Sequence, residues 1–305
     1  MKILSILLVL GWFSVSADKQ VCFAPGNLQF NASEGTHQTA DGLTKDGTWR
    51  FADSQWERAQ SPWFDIFAWA TSGWDNTVND LEAKRFEPTE INTVAFGLHD
   101  YNYYGYGPSY GAGRSQDLTG NSANHDWGIY NAISNGGDEA GKWRTLTYAE
   151  WDYLLNQRTT GSWDFAYIKT PDSIAGIVIL PDDWQGEAIK EGYTAAEWTA
   201  LETQGAVFLP EGEYWTATGD PNETNKNRFA IALFFNEGTN NDPQDIQKDR
   251  YTRLPVRLVQ DYKEPDPAGF ADKQAETINQ KTLHDGQLLI LQGENLFNTL
   301  GQKVH

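Results

Sequence analysis

Two stretches of the chain place apolar residues at helical spacing behind the same polar signal. In residues 142–158, KWRTLTYAEWDYLLNQR, Glu150 follows Thr147 by three positions. At that spacing the hydroxyl accepts from the glutamate N–H and the carboxylate reaches back to the threonine N–H, so a helix is predicted from about Tyr148. Trp151, Leu154 and Leu155 then form one inward stripe. In residues 193–210, YTAAEWTALETQGAVFLP, Thr194 and Glu197 repeat the device, Trp198 and Leu201 face inward, and Gly205 ends the helix before a strand-like AVFL.

The remaining apolar positions alternate or run briefly, as strands do. Residues 19–23 lead to a Pro25-Gly26-Asn27 turn and a second alternation through Leu28 and Phe30. Further strands are predicted at 49–51, 61–76 with a Ser72-Gly73 turn, 173–184 ended by proline, 213–218, 228–235 and 253–261. Residues 31–47 and the Asn/Asp stretch after Phe235 read as surface loops, and 126–137 as a short helix closed by Gly136-Gly137. Residues 75–137 hold no other periodic element, only dense Gly, Asn, Tyr and Asp, which points to long loops with a function of their own. Two short helices on a scatter of short strands is an α+β layout with no fixed-period repeat. YKEPDPAG at 262–269 reads as a linker, and residues 270–305 alternate Leu and Ile about Asp285-Gly286 and Gly293-Glu294, a hairpin unit too small to fold alone.

The N-terminus admits two readings. Lys2, an apolar run from Ile3 to Phe13 and the small residues Val15-Ser16-Ala17 resemble a secretory leader over 1–17, and the run is too short to span a bilayer. Residues 13–23 also alternate well enough to be the first strand. No other segment is a membrane-span candidate, so the mature product is expected to be soluble or surface-attached.

Composition narrows the partners. Against 23 basic residues stand 42 acidic ones, a formal charge of −19 that repels nucleic-acid phosphate. Apolar residues are only 39%, so the 13 Trp, 13 Tyr and 15 Phe must supply much of the burial. Cys22 is the single cysteine, which excludes an intrachain disulfide and any all-cysteine zinc site.

Arg144, Leu146, Glu150, Trp151 and Asp152 match the Arg-Leu-Pro-Thr-x-x-Glu-Trp-Glu helix of the formylglycine-generating-enzyme superfamily. Together with Tyr214-Trp215-Thr216, Arg253, Val256-Arg257-Leu258-Val259, FAPGNLQF and FDIFAWATSGW, the chain resembles secreted Bacteroidetes proteins carrying the Fibrobacter major paralogous (FISUMP) domain. The resemblance spans roughly 13–261 and implies a C-type-lectin-like fold over 18–261 with two short helices, short strands and long ordered loops. The tail residues Gly293, Phe297, Asn298, Gly301, Gln302 and Val304 resemble the C-terminal segments of surface proteins in that phylum.

The resemblance also implies what is missing. The related enzymes oxidise a substrate cysteine through a copper-binding cysteine pair, absent here, so a non-catalytic protein with no required cofactor is expected. His37, His99, His125, His284 and His305 are too scattered for an iron site of the sulfoxide-synthase kind. Gly107-Pro108-Ser109-Tyr110-Gly111 fits a nucleophile-elbow pattern but sits in a Tyr/Gly loop, and Asp182 and Asp183 read as solvated turn residues rather than a glycosidase pair. Tyr101, Tyr103, Tyr104, Tyr106 and Tyr110, with Trp74, would present flat faces with polar tips, suited to stacking on sugars or peptides. They also suit a small core beneath their own loop. Calcium has weak candidates in Asp75 and Asp80 and in Asp242 and Asp245. The expected role is a secreted or surface-displayed module binding a glycan or protein ligand. A diverged enzyme of the superfamily and a structural subunit of a surface assembly are the alternatives, and convergence of loop carboxylates with His125 would favour the enzyme.

Overall fold

The computed structural model describes residues 11–74, 117–158, 165–221, 229–237, 244–250 and 252–262, together with the backbone of the strands between 280 and 304. It is a mixed, mostly β chain with few short helices, and it divides into Met1–Tyr262 and Lys263–His305. Among the described residues no helix is long and apolar enough to cross a membrane.

In the first unit a four-stranded sheet runs β1(Phe13–Ser14), β2(Gln20–Phe23), β12(Leu258–Asp261), β5(Arg144–Thr145). Three others are the hairpin of β3(Leu28–Gln38) and β4(Thr44–Phe51), the antiparallel set β6(Phe165–Lys169), β7(Ala175–Ile179), β8(Val207–Pro210), and the set β11(Gln244–Asp249), β10(Phe229–Phe235), β9(Gly212–Gly219). Among the described residues three short α-helices accompany them: α1(Trp127–Tyr130), α2(Tyr148–Asp152) and α3(Ala195–Thr203).

Both capping boxes form. Thr147 Oγ1 accepts from Glu150 N at 3.2 Å while Thr147 N donates to Glu150 Oε2 at 2.9 Å. Thr194 and Glu197 make the same reciprocal pair at 3.3 and 2.9 Å. Helix α2 continues into a π-type turn at Tyr153–Gln157, which keeps Leu154 and Leu155 turned inward with Trp151.

Several expected boundaries differ. Residues 31–47 are not a surface loop but most of a β-hairpin, because the ladder resumes at Thr36↔Asp46 after an irregularity beyond Asn31 and Gly35 and Gly47 supply positive φ. Of the strand expected over 61–76, the described residues 61–74 do not form one. Their backbone forms isolated bridges rather than a ladder, Phe64 with Phe30 and Phe67 with Leu254, and Ala70 at φ 63° breaks extended geometry. The stretch after Phe235 contains the paired strand β11, and the closing strand begins at Leu258 rather than at 253. The helix expected over 126–137 is α1 followed by a 3-10 turn at Ser134–Gly136, ended as expected by left-handed Gly137.

Aromatics fill the interior. One cluster gathers Trp49, Trp69, Trp127, Trp215, Phe51 and Val256, and a second joins Phe13, Phe23, Trp151, Tyr214, Phe235 and Val259. A third packs Trp198, Leu201, Phe208 and Val178 under α3. Cys22 is buried in β2, and burial first, then the nearby Asp183 charge, push its thiol up to about 11. Arg257, 1% exposed, donates from Nε to Asn27 Oδ1 at 3.0 Å and from Nη2 to Gln55 O at 2.8 Å and Phe208 O at 3.3 Å, tying three segments with one cation.

The second unit is a four-stranded antiparallel sheet in chain order, β13(Gln280–His284), β14(Gln287–Gln292), β15(Asn295–Phe297), β16(Lys303–Val304). The registers His284↔Gln287 and Gln292↔Asn295 are those expected of hairpins closed at Asp285-Gly286 and Gly293-Glu294.

Candidate functional site

The stretch 75–116 begins and ends on one edge of the first unit. Trp69 is fully buried, with its backbone N donating to Arg250 O at 2.8 Å and its indole N–H to Thr216 O at 3.0 Å. After the left-handed turn at Ala70, Ser72 Oγ donates to Asn124 O at 2.6 Å, and Trp74 N donates to Ser72 Oγ at 3.2 Å. Half-buried Trp74 sets its ring edge-on to His125, with centroids 4.7 Å apart at 85°. At the return, Asp117 Oδ1 accepts from Gly219 N at 3.2 Å and Leu118 N donates to Ala217 O at 2.7 Å.

Those contacts fall where β9 ends and β10 and β11 meet. Gly219 pairs with Ala230, and Phe229 with Asp249. The points where the chain leaves for and returns from 75–116, 222–228 and 251 therefore share one edge of the structure. Beneath them lies a buried polar floor. Arg250, 0% exposed, donates from Nε to Phe229 O at 3.1 Å and lies 4.6 Å over the Trp69 ring, and Asp220 is also fully buried. Asn131 Nδ2 donates to Ser72 O at 2.8 Å and Trp127 O at 2.9 Å, while its Oδ1 lies 2.8 Å from His37 Nε2.

Electrostatics fit a buried foundation. Burial, then the positive charge of Arg250, lower the His125 imidazole to about 3, so it is neutral at physiological pH. Burial raises Asp126 to about 6 although its carboxylate accepts from Thr145 N at 2.8 Å and Gly128 N at 3.0 Å. Burial likewise raises Asp117. His125 thus lies 1% exposed beside Trp74 rather than lining an open cleft, and among the described residues no group of three His, Cys, Asp or Glu side chains could hold a metal ion.

Of the residues singled out from sequence, Tyr101, Tyr103, Tyr104, Tyr106 and Tyr110 lie outside the described residues, as do Asp75, Asp80 and Asp242. Asp245 has its backbone in β11 opposite Leu233. Trp74 lies half-buried against His125, immediately before residue 75. Asp182 corrects its expected solvated role: its side chain is 0% exposed, accepts from Arg158 Nη1 at 2.9 Å and from Ser14 N at 2.8 Å. Sequence reasoning missed Asp117, Asp220 and Arg250, because charged residues in Asn/Asp-rich surroundings carry no periodic signal of burial.

Compared with protein-family models, with curated proteins and with solved structures, the chain matches none.

Proposed function

We propose that the body containing residues 18–261 is a C-type-lectin-like binding module, secreted or displayed at a cell surface, which engages a glycan or a protein ligand without catalysis. The observation that supports this reading is the shared edge on which the tyrosine-bearing stretch 75–116 leaves and re-enters the body beside the β9, β10 and β11 ends. A buried, hydrogen-bonded foundation would lower the conformational cost of presenting adaptable aromatic side chains, which is what sugar- and peptide-binding surfaces require. Tyr101, Tyr103, Tyr104, Tyr106 and Tyr110 supply the stacking faces, with Trp74 at the margin. Calcium held by Asp75 and Asp80, or by Asp242 and Asp245, would act as a helper of that face rather than as a redox or hydrolytic centre.

A glycan-array screen run with calcium and with chelator tests the reading. Reproducible binding to a defined glycan class supports it, and the chelator lane decides whether an ion takes part. An array blank in both lanes removes the glycan form and leaves a protein ligand.

A further inference from the structure

Residues 11–16 are built into the body as firmly as any interior strand. Phe13 is 0% and Val15 1% exposed, and both belong to the cluster of Phe23, Trp151, Leu154 and Val207. The rings of Phe13 and Phe23 meet edge-on at 5.1 Å. On its inner edge β1 pairs with β2, Phe13 opposite Val21 and Ser14 opposite Gln20. On its outer edge Ser14 N donates to Asp182 Oδ2 at 2.8 Å and Asp182 N donates to Trp12 O at 2.9 Å. The Asp182 carboxylate is fully buried with Arg158, so one oxygen of a desolvated charge, Oδ2, takes its hydrogen bond from this strand while Oδ1 takes its from Arg158 Nη1. Trp12 stacks on Tyr262 at 6.0 Å, and a Cβ on Gly11 would lie 2.6 Å from Pro181 Cβ, so the chain fits closely back to that residue. Phe13 also lines a crevice of about 320 Å³ with Phe23, Pro25, Gln55, Glu202 and Val207.

Against this stands the small-residue motif Val15-Ser16-Ala17, which on sequence alone marks a processing site after Ala17. A cut there would delete β1, open the crevice into the second aromatic cluster and leave Asp182 without the Ser14 amide. We infer that maturation leaves Gly11–Ala17 attached, so that if a leader is removed the cut falls before Gly11 and the Ala17–Asp18 bond is not a processing site. The inference rests on the secretion reading above only for there being a cut at all. Its physical content, that β1 belongs to the working protein, stands independently.

Two measurements test it. The full chain is expressed in an export-competent bacterial host and the N-terminus of the exported protein is read by intact mass and sequencing. A start at or before Gly11 agrees with the inference, whereas a cooperatively folded product starting at Asp18 overturns it. In parallel, the uncut full chain is compared with its Phe13→Ser/Val15→Ser and Ser16→Ala variants by thermal unfolding. The double variant is expected to lose roughly 10 °C or more in Tm and the Ser16 variant almost nothing. A double variant with unchanged Tm overturns the inference whatever happens at export, and a chain that is never exported counts against secretion alone.

Discussion

The two capped helices carry the same four-residue signal and occupy different worlds. At α2, Glu150 is 13% exposed and serves Thr147, Arg144 Nη1 at 2.9 Å and Lys19 Nζ at 3.1 Å, and Arg144 continues to Asp261 on β12. Trp151 of the same helix is 1% exposed in the second aromatic cluster, and Tyr148 N donates to Thr218 Oγ1 on β9. At α3 the equivalent Glu197 is exposed and paired with exposed Lys190, and Trp198 sits in the small third cluster bordered by half-buried Trp56, Trp184 and Tyr193. An identical local code therefore starts each helix, while tertiary context decides whether the cap is an ornament or a joint between sheets.

The contrast can be broken at several points. Trp151→Ala should cost about 3–5 kcal/mol in chemical denaturation, with Trp198→Ala nearer the lower end because its rim can close in. Glu150→Ala should cost about 2–3 kcal/mol, since it removes the partner of Arg144 Nη1 and of the Thr147 amide together and leaves Arg144 its pair with Asp261. Burial raises the Glu150 carboxyl, but Arg144, the Thr147 amide and Lys19 outweigh it and the net shift is downward. A depressed carboxyl contributes stability that is present above its unfolded pKa and lost as pH falls through the folded one, so the penalty of this substitution should shrink on acidification through the carboxylate range. Urea titrations of wild type and variant at several pH values check this.

His125 gives a pH effect of the same direction by another route. Its folded pKa of about 3 lies below the ordinary 6.5, so between those values the unfolded chain binds the extra proton and wild-type stability falls as pH drops. Asp126, raised from 3.8 to about 6, opposes it within its own narrower window by taking up a proton in the folded state. His125→Gln should therefore lose less stability than wild type between pH 6.5 and 3, read as a narrowing gap in ΔG. At the small end, Thr194→Ala should cost about 1 kcal/mol as an ordinary cap. Lys190→Ala should leave Tm unchanged, because an exposed pair in water contributes little.

What could be read from the chain follows the same division. Both helix starts, the inward Trp151 and Trp198, the buried 173–184 strand and the tail hairpins were legible because capping, periodicity and turn chemistry act within a few residues. The β3–β4 hairpin was not, since its polar stretch is held by cross-strand partners and by buried His37 rather than by apolar alternation. Asp182 looked like a turn acid until Arg158, 24 positions earlier, was seen to pair with it. Of the candidate site, Trp74 and His125 were singled out from sequence, but their contact with each other and the burial of Arg250 and Asp220 were not, because these segments lie far apart in the chain.

The measurement that bears most directly on the proposed binding face compares two pairs of aromatics on the glycan array. Tyr103→Ala/Tyr104→Ala removes faces from the stretch rooted on the polar floor, and Trp184→Ala/Tyr193→Ala removes aromatics beside the exposed helix α3. The account predicts that the first pair weakens array binding at least tenfold with little change in Tm, and that the second pair leaves binding intact. Binding that survives the first pair, or is lost only with the second, would contradict it.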